Sequence, residues 1–129
     1  MNLLLDTNAL IWAISGPDRL RAEARKAITE GRNQVLVSAS SVWEIVIKVR
    51  LGKLSLPSPV SDWLPTALED KRFAPLPITM EHALAVERLP PHHSDPFDRI
   101  LIAQALTEGL VIITGDRAFS RYGVQIIET

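Results

Sequence analysis

The segment from Asp95 to Ala105, which reads DPFDRILIAQA, constrains the fold of this chain more than any other stretch. Asp95 followed by Pro96 predicts a helix N-cap with proline at the first helical position. The residues that follow are apolar around most of the predicted helix, which indicates a helix buried on more than one side. Asp98 falls in the first turn, close to the positive end of the helix dipole. The sequence therefore predicts a carboxylate at the N-terminus of a buried helix.

Short apolar segments alternate with helical patterns along the rest of the chain. Strands are predicted at residues 3–5, 34–37, 110–114 and 124–127, with a short extended segment at 73–78. Helices are predicted at residues 9–14, 18–28, 42–51, 60–68 and 80–89. Strands that are apolar throughout are typical of a parallel sheet covered on both faces. We therefore expect one α/β domain over residues 1–129, with a parallel sheet of four to five strands sandwiched by helices.

Composition excludes several classes of protein. A net charge of −1 gives no global basic field to attract nucleic acid, so RNA binding would need a local patch. The absence of cysteine and the presence of only three histidines argue against a disulfide framework and a structural zinc site. No apolar run reaches roughly 18 residues, and no signal peptide is recognisable. The expectation is an intracellular, cytoplasmic protein without membrane contact.

Four carboxylates are predicted to meet at one edge of the sheet. Asp6 follows the first strand and Asp116 follows a late strand, while Glu44 and Asp98 are expected in the first turns of helices that begin at the same edge. Carboxylates packed within a few ångströms repel one another and raise each other's pKa. A hard divalent cation such as Mg²⁺ or Mn²⁺ relieves that repulsion, and it can activate water against a phosphodiester.

Each of these acids also has a purely structural interpretation. Asp6 could cap a helix, Asp98 could compensate the helix dipole, and Asp116 could be an ordinary turn residue. Glu44 lies three residues after Ser41, which is the spacing of a capping box. The convergence of all four at one edge favours the metal site over these separate explanations.

Four motifs in order carry a family resemblance. They are LLDTN at 4–8, SASSVWEI at 38–45, DPFDRILIAQA at 95–105 and TGDRAF at 114–119. Together they resemble the successive motifs of PIN-domain nucleases, most closely the VapC-type toxins of bacterial toxin–antitoxin pairs. The resemblance implies a parallel α/β/α sandwich and a ribonuclease that depends on Mg²⁺ or Mn²⁺. It also implies homodimers and inhibition by a small cognate antitoxin.

The resemblance assigns roles to individual residues. The family's acidic metal-site positions correspond to Asp6, Glu44, Asp98 and Asp116. Polar positions that support them correspond to Thr7, Asn8 and Thr114. Asp95 is interpreted as the cap of the central helix, with contact to the metal through water as the alternative.

Basic and aromatic residues outside the motifs are weaker candidates. Lys48, Arg50 and Lys53 follow Glu44 along the chain and are predicted to form a patch that binds RNA. His92 and His93 are interpreted as polar loop residues, with RNA contact or proton transfer as the alternative. The apolar pattern predicts that His82 lies at the surface and that Trp12 and Trp43 lie in the core or at a dimer interface.

Two rival functions remain open at this point. One is another acid-site α/β phosphohydrolase, although a haloacid-dehalogenase-type phosphatase would need an aspartate where this chain has Asn8. The other is a catalytically silent PIN-fold module that only binds a partner. The presence of all four acids favours the nuclease over both.

Overall fold

Five parallel strands form the centre of the structure, a computed structural model that describes residues 1–129. The strands are β1 (Asn2–Leu5), β2 (Gln34–Ser38), β3 (Ala74–Leu76), β4 (Val111–Thr114) and β5 (Ile126–Glu128). Their order across the sheet is β3-β2-β1-β4-β5, with every neighbouring pair parallel. The chain thus adds β2 and β3 on one side of β1, and then adds β4 and β5 on the other side.

Six α-helices and four short 3₁₀ segments connect the strands. The α-helices are α1 (Thr7–Ser15), α2 (Ala22–Thr29), α3 (Ala39–Arg50), α4 (Leu64–Asp70), α5 (Met80–Ala85) and α6 (Pro96–Glu108). None of them is long and apolar enough to cross a membrane. The 3₁₀ segments are Pro17–Arg19, Val60–Asp62, Val86–Arg88 and Arg117–Tyr122.

Alternate residues of the strands enter two separate cores, one on each face of the sheet. On β1, Leu3 and Leu5 pack with residues of the first four helices, whereas Leu4 packs with residues of α6 and the segment before β5. Both faces are covered, so the strands carry apolar side chains in both directions. The predicted α/β class, with a parallel sheet sandwiched by helices, is confirmed.

Several predicted helix boundaries differ from the structure, and the helix predicted at 60–68 begins only at Leu64. The helix predicted at 18–28 starts only at Ala22, because Leu20 turns into the core and the backbone N–H of Arg21 donates to the carbonyl of Thr129. The helix predicted at 80–89 gives way to a 3₁₀ turn at Val86–Arg88. The helix predicted from 42 begins three residues earlier, because the side chain of Ser38 caps it.

The start of α3 and the position of α5 change two interpretations. Glu44 lies in the second turn of α3 rather than the first, and its spacing from Ser41 is not a capping box. His82 was predicted to lie at the surface but is only 1% exposed. Its Nδ1 accepts the backbone N–H of Thr79 in a capping box at the start of α5, and that helix packs on α6.

Candidate active site

The candidate site lies at the carboxyl edge of the sheet, where the strand order reverses. Asp6 follows β1 and Asp116 follows β4, and these two strands are neighbours at the centre of the sheet. The backbone N–H of Asp6 donates to the carbonyl of Ile113 at 3.0 Å, so the strands remain joined up to the first acid. Such a reversal point leaves a crevice in which parallel sheets bind ligands.

Asp6 is buried and serves as the N-cap of α1. Its Oδ1 accepts the backbone N–H of Ala9 at 2.8 Å. Burial raises the pKa of Asp6, and the negative charges of Glu44 and Asp116 act in the same direction. Hydrogen bonds from Thr114 and Ala9 oppose that rise without cancelling it. The cap explains the position of this carboxylate, but its neighbourhood of other acids is not needed for capping.

Glu44 enters the site from α3 with a donor on each oxygen. The hydroxyl of Thr7 donates to its Oε1 at 2.6 Å, and Nζ of Lys48 lies 2.7 Å from its Oε2. The hydrogen bond to Glu44 raises the pKa of Lys48, and the negative charges of Asp95 and Asp98 add to the effect. Lys48 is therefore the cation that neutralises this side of the acidic cluster.

The N-terminus of α6 supplies two carboxylates with different roles. Asp95 caps the helix, because its Oδ1 accepts the backbone N–H groups of Phe97 at 2.8 Å and Asp98 at 3.4 Å. Burial raises the pKa of Asp98 to about 7, and the negative charges of Asp95, Asp6 and Glu44 contribute. A carboxyl that holds its proton near neutral pH marks a place that lacks positive charge.

His93 lies between Asp98 and Asp116, which enter the crevice from opposite sides. Its Nε2 lies 2.8 Å from Oδ2 of Asp116 and 3.1 Å from Oδ2 of Asp98. Burial acts to raise the pKa of Asp116, but the hydrogen bonds from His93 and the backbone of Ala118 lower it overall. Candidate ligand atoms of His93, Asp98 and Asp116 lie within 4.8 Å of one another. His93 lies in the loop before α6, as interpreted, and its ring contacts both acids of the site.

The structure brings most of the predicted site residues together. A cleft of about 460 Å³ is lined by Asp6, Asn8, Trp12, Asp98 and Asp116, with four further residues around its rim. The supporting residue Thr114 is fully buried, and its hydroxyl accepts the backbone N–H of Asp116 at 3.0 Å.

The basic and aromatic residues singled out in the sequence have different surroundings. Of the three basic residues assigned to RNA, Lys48 contacts the cluster, whereas Arg50 and Lys53 are exposed and make no ion pair. Trp43 is 60% exposed and packs edge-on against Phe97 of α6. Trp12 is half-buried against the core.

Comparisons with known proteins agree with this architecture. The model of the PIN domain family matches residues 3–125. Ribonuclease VapC22 of Mycobacterium tuberculosis (strain ATCC 25618 / H37Rv) is 32% identical over 116 residues, which cover 89% of this chain and 87% of that protein. Ribonuclease VapC16 of the same strain is 38% identical over 66 residues, or 51% of this chain, and that match spans 45% of its length.

A solved structure shares the fold over the whole chain. The crystal structure of VapBC2 from Rickettsia felis, bound to a DNA fragment from their promoter, superposes with a TM-score of 0.73. The alignment covers 100% of this chain and 99% of the other at 14% sequence identity. At that identity the likeness concerns the fold alone.

Proposed function

Because the chain belongs to the PIN-domain family, we propose that it is a metal-dependent endoribonuclease that acts as the toxin of a toxin–antitoxin pair. The observation that carries the proposal is the meeting of Asp6, Glu44, Asp98 and Asp116 at the reversal point of the sheet. The names of the two curated relatives, both VapC ribonucleases, support the same activity. We propose that residues 1–129 act as one nuclease domain.

The residues at this edge fit a hard divalent cation. The four acids reach the site from elements that are far apart along the chain, and burial together with neighbouring charges raises the pKa of Asp98 to about 7. That rise is the behaviour of carboxylates grouped without enough positive charge. Carboxylate oxygens are the ligands that Mg²⁺ and Mn²⁺ prefer. Asp6, Glu44, Asp98 and Asp116 would hold the ion, which would supply an activated water and charge stabilisation at the phosphodiester.

The chain's own residues prepare this site in three ways. The hydroxyl of Thr7 and the ammonium of Lys48 fix the orientation of the Glu44 carboxylate. The helix cap made by Asp95 leaves Asp98 free to face the cleft instead of its own helix terminus. Asn8 lines the cleft beside Asp6 and offers an amide that can donate to a phosphate oxygen. Orientation of this kind spares the reaction the cost of ordering its groups.

The proposal extends to partners and substrate contacts. We propose an RNA substrate that contacts Lys48, Arg50 and Lys53, a cognate antitoxin protein and a homodimer acting in the cytoplasm. Exposed apolar side chains on two helices, Met80 and Leu84 of α5 and Leu106 of α6, leave apolar surface that a dimer or an antitoxin could cover. Complexes named VapBC among the structural relatives support an antitoxin partner.

Cleavage of single-stranded RNA by the purified protein tests the proposal. We expect cleavage with Mg²⁺ or Mn²⁺ and none in excess EDTA, because the cluster has no nucleophile–base pair that works without metal. Asp6→Asn, purified identically, controls for contaminating nucleases and should be inactive. Full cleavage in EDTA, or equal cleavage by Asp6→Asn, would contradict the proposal.

A further inference from the structure

The imidazole of His93 is the only side chain that contacts acids from both sides of the crevice. We propose that His93 is a positioning residue: it donates its Nε2–H to Asp116, lies 3.1 Å from Asp98 and sets the separation at which these carboxylates accept a cation. This inference rests on the proposed function, because it assumes that the two acids are metal ligands. It adds a residue from outside the four acids and their supporting polar groups.

The neighbours of the ring determine which nitrogen carries the proton. The backbone N–H of Asp95 donates to Nδ1 of His93 at 3.4 Å, so Nδ1 is the acceptor and Nε2 carries the hydrogen. Nε2–H then points at Oδ2 of Asp116, 2.8 Å away. A histidine that ligates a metal through Nε2 needs an acceptor opposite its Nδ1–H. Here Nδ1 faces a donor, which favours an outer role for His93 over direct ligation.

Candidate ligand atoms of Asp98 and Asp116 lie within 4.8 Å of each other, near enough for the two carboxylates to share an ion. Neighbouring ligands of an octahedral ion with bonds of about 2.1 Å lie about 3.0 Å apart. No backbone hydrogen bond links the first turn of α6 to the segment after β4, and His93 is the side chain that contacts both Asp98 and Asp116. Nε2 lies 2.8 Å from Oδ2 of Asp116 and 3.1 Å from Oδ2 of Asp98, so the imidazole holds both oxygens near a common point despite their repulsion. The remaining oxygen of Asp116 accepts the N–H of Ala118, which fixes that carboxylate from its other end.

The loop that carries His93 is itself anchored. The guanidinium of Arg99 donates to four carbonyls, at distances of 3.0–3.3 Å: those of Val86, Leu89, Pro90 and His93. The ring of His93 also packs edge-on against Phe119 with centroids 5.9 Å apart. Arg99 follows Asp98 directly in α6, so one helix turn presents an acid to the cleft and anchors the histidine that orients it.

Binding of Mn²⁺ alone, measured by calorimetry, tests the inference without relying on cleavage. Loss of a residue that orients metal ligands typically lowers metal affinity by about 10–100-fold. We expect His93→Ala to lower Mn²⁺ affinity by at least about tenfold and His93→Gln, whose Nε2–H can reach Asp116, to restore most of it. His92→Ala is the matched control: His92 packs against Tyr122 without touching an acid, and its removal should leave the affinity unchanged.

Spectroscopy separates positioning from ligation. Pulsed electron paramagnetic resonance of the Mn²⁺-bound wild type should show no directly coordinated ¹⁴N. Direct nitrogen coordination would overturn the inference, as would equal or higher Mn²⁺ affinity in His93→Ala. Equal losses in the Ala and Gln variants would also overturn it. Wild type whose Mn²⁺ affinity depends on His93 without nitrogen coordination, but which leaves RNA intact, would refute the proposed function while sustaining this inference.

Discussion

Replacing Asp98 by asparagine distinguishes two possible roles of this residue, as a metal ligand or as a charge that stabilises the helix terminus. Burial and the neighbouring acids raise the pKa of this carboxyl from its ordinary 3.8 to about 7. At about 1.4 kcal/mol for each pH unit, the ionised form costs the metal-free fold up to about 4 kcal/mol above pH 7. Asparagine removes that cost but also loses the contact with His93 and about 0.3–1 kcal/mol of dipole stabilisation. We therefore expect a net gain of about 1–3 kcal/mol at pH 8.

Thermal melts at pH 8 with and without Mn²⁺ measure this effect. The metal-free variant should melt roughly 4–12 °C above wild type, given the entropy of unfolding of a chain of this size. Wild type should gain melting temperature when Mn²⁺ is added, because the ion binds only the folded state. Asp98→Asn should gain less from Mn²⁺ and should not cleave RNA.

Glu81→Gln provides the matched control, since Glu81 is an exposed acid in the first turn of α5 and far from the cluster. It should lose a few tenths of a kcal/mol and keep the full response to Mn²⁺. A metal-free Asp98→Asn protein that melts below wild type, with equal Mn²⁺ shifts in both and with cleavage retained, would refute the reasoning.

Three further perturbations test the electrostatics of the cluster. Because the pKa of Asp98 is raised, the protonated carboxyl contributes fully to the stability of the metal-free fold below about pH 4, and this contribution is lost as the pH rises through about 7. Thermal melts of the metal-free protein should show this loss in wild type and not in Asp98→Asn. Thr7→Val leaves Oε1 of buried Glu44 without its donor and should lower the free energy of unfolding by about 1–3 kcal/mol, measured in urea. Lys48→Gln should destabilise the metal-free protein by about 1 kcal/mol, measured in urea. Lys53→Gln should leave that stability unchanged but should weaken RNA binding and reduce its salt dependence.

The sheet could be predicted from the sequence because its strands carry apolar side chains on both faces. Leu3, Leu4 and Leu5 have no solvent-facing position, and only a strand covered on both faces accommodates such a run. Helix boundaries were harder, because they depend on contacts made far along the chain. Leu20 leaves its predicted helix to enter the core, and Arg21 bonds to Thr129 at the opposite end of the chain.

The four acids could be predicted to meet because Asp6 and Asp116 follow strands at one edge of a parallel sheet, and the helices that carry Glu44 and Asp98 begin at that edge. The position of Glu44 within α3 could not be predicted, since Ser38 and Ser41 are both plausible N-caps. The helix begins after Ser38 because β2 ends at that residue. The role of His93 was missed because its contact depends on the path of an irregular loop. That path is set by Arg99, whose bonds to the loop have no periodic pattern in the sequence.

The strand order has a consequence for how the protein is made. Asp6 lies near the start of the chain, yet its partner acid Asp116 follows β4, which pairs directly with β1. Synthesis proceeds from the N-terminus at about 5–20 residues per second, and β1 must wait for most of the chain before this neighbour is available. During translation the chain consequently carries the first acid for most of its synthesis without a complete site. The acidic cluster is therefore complete only after the last strands have joined the sheet.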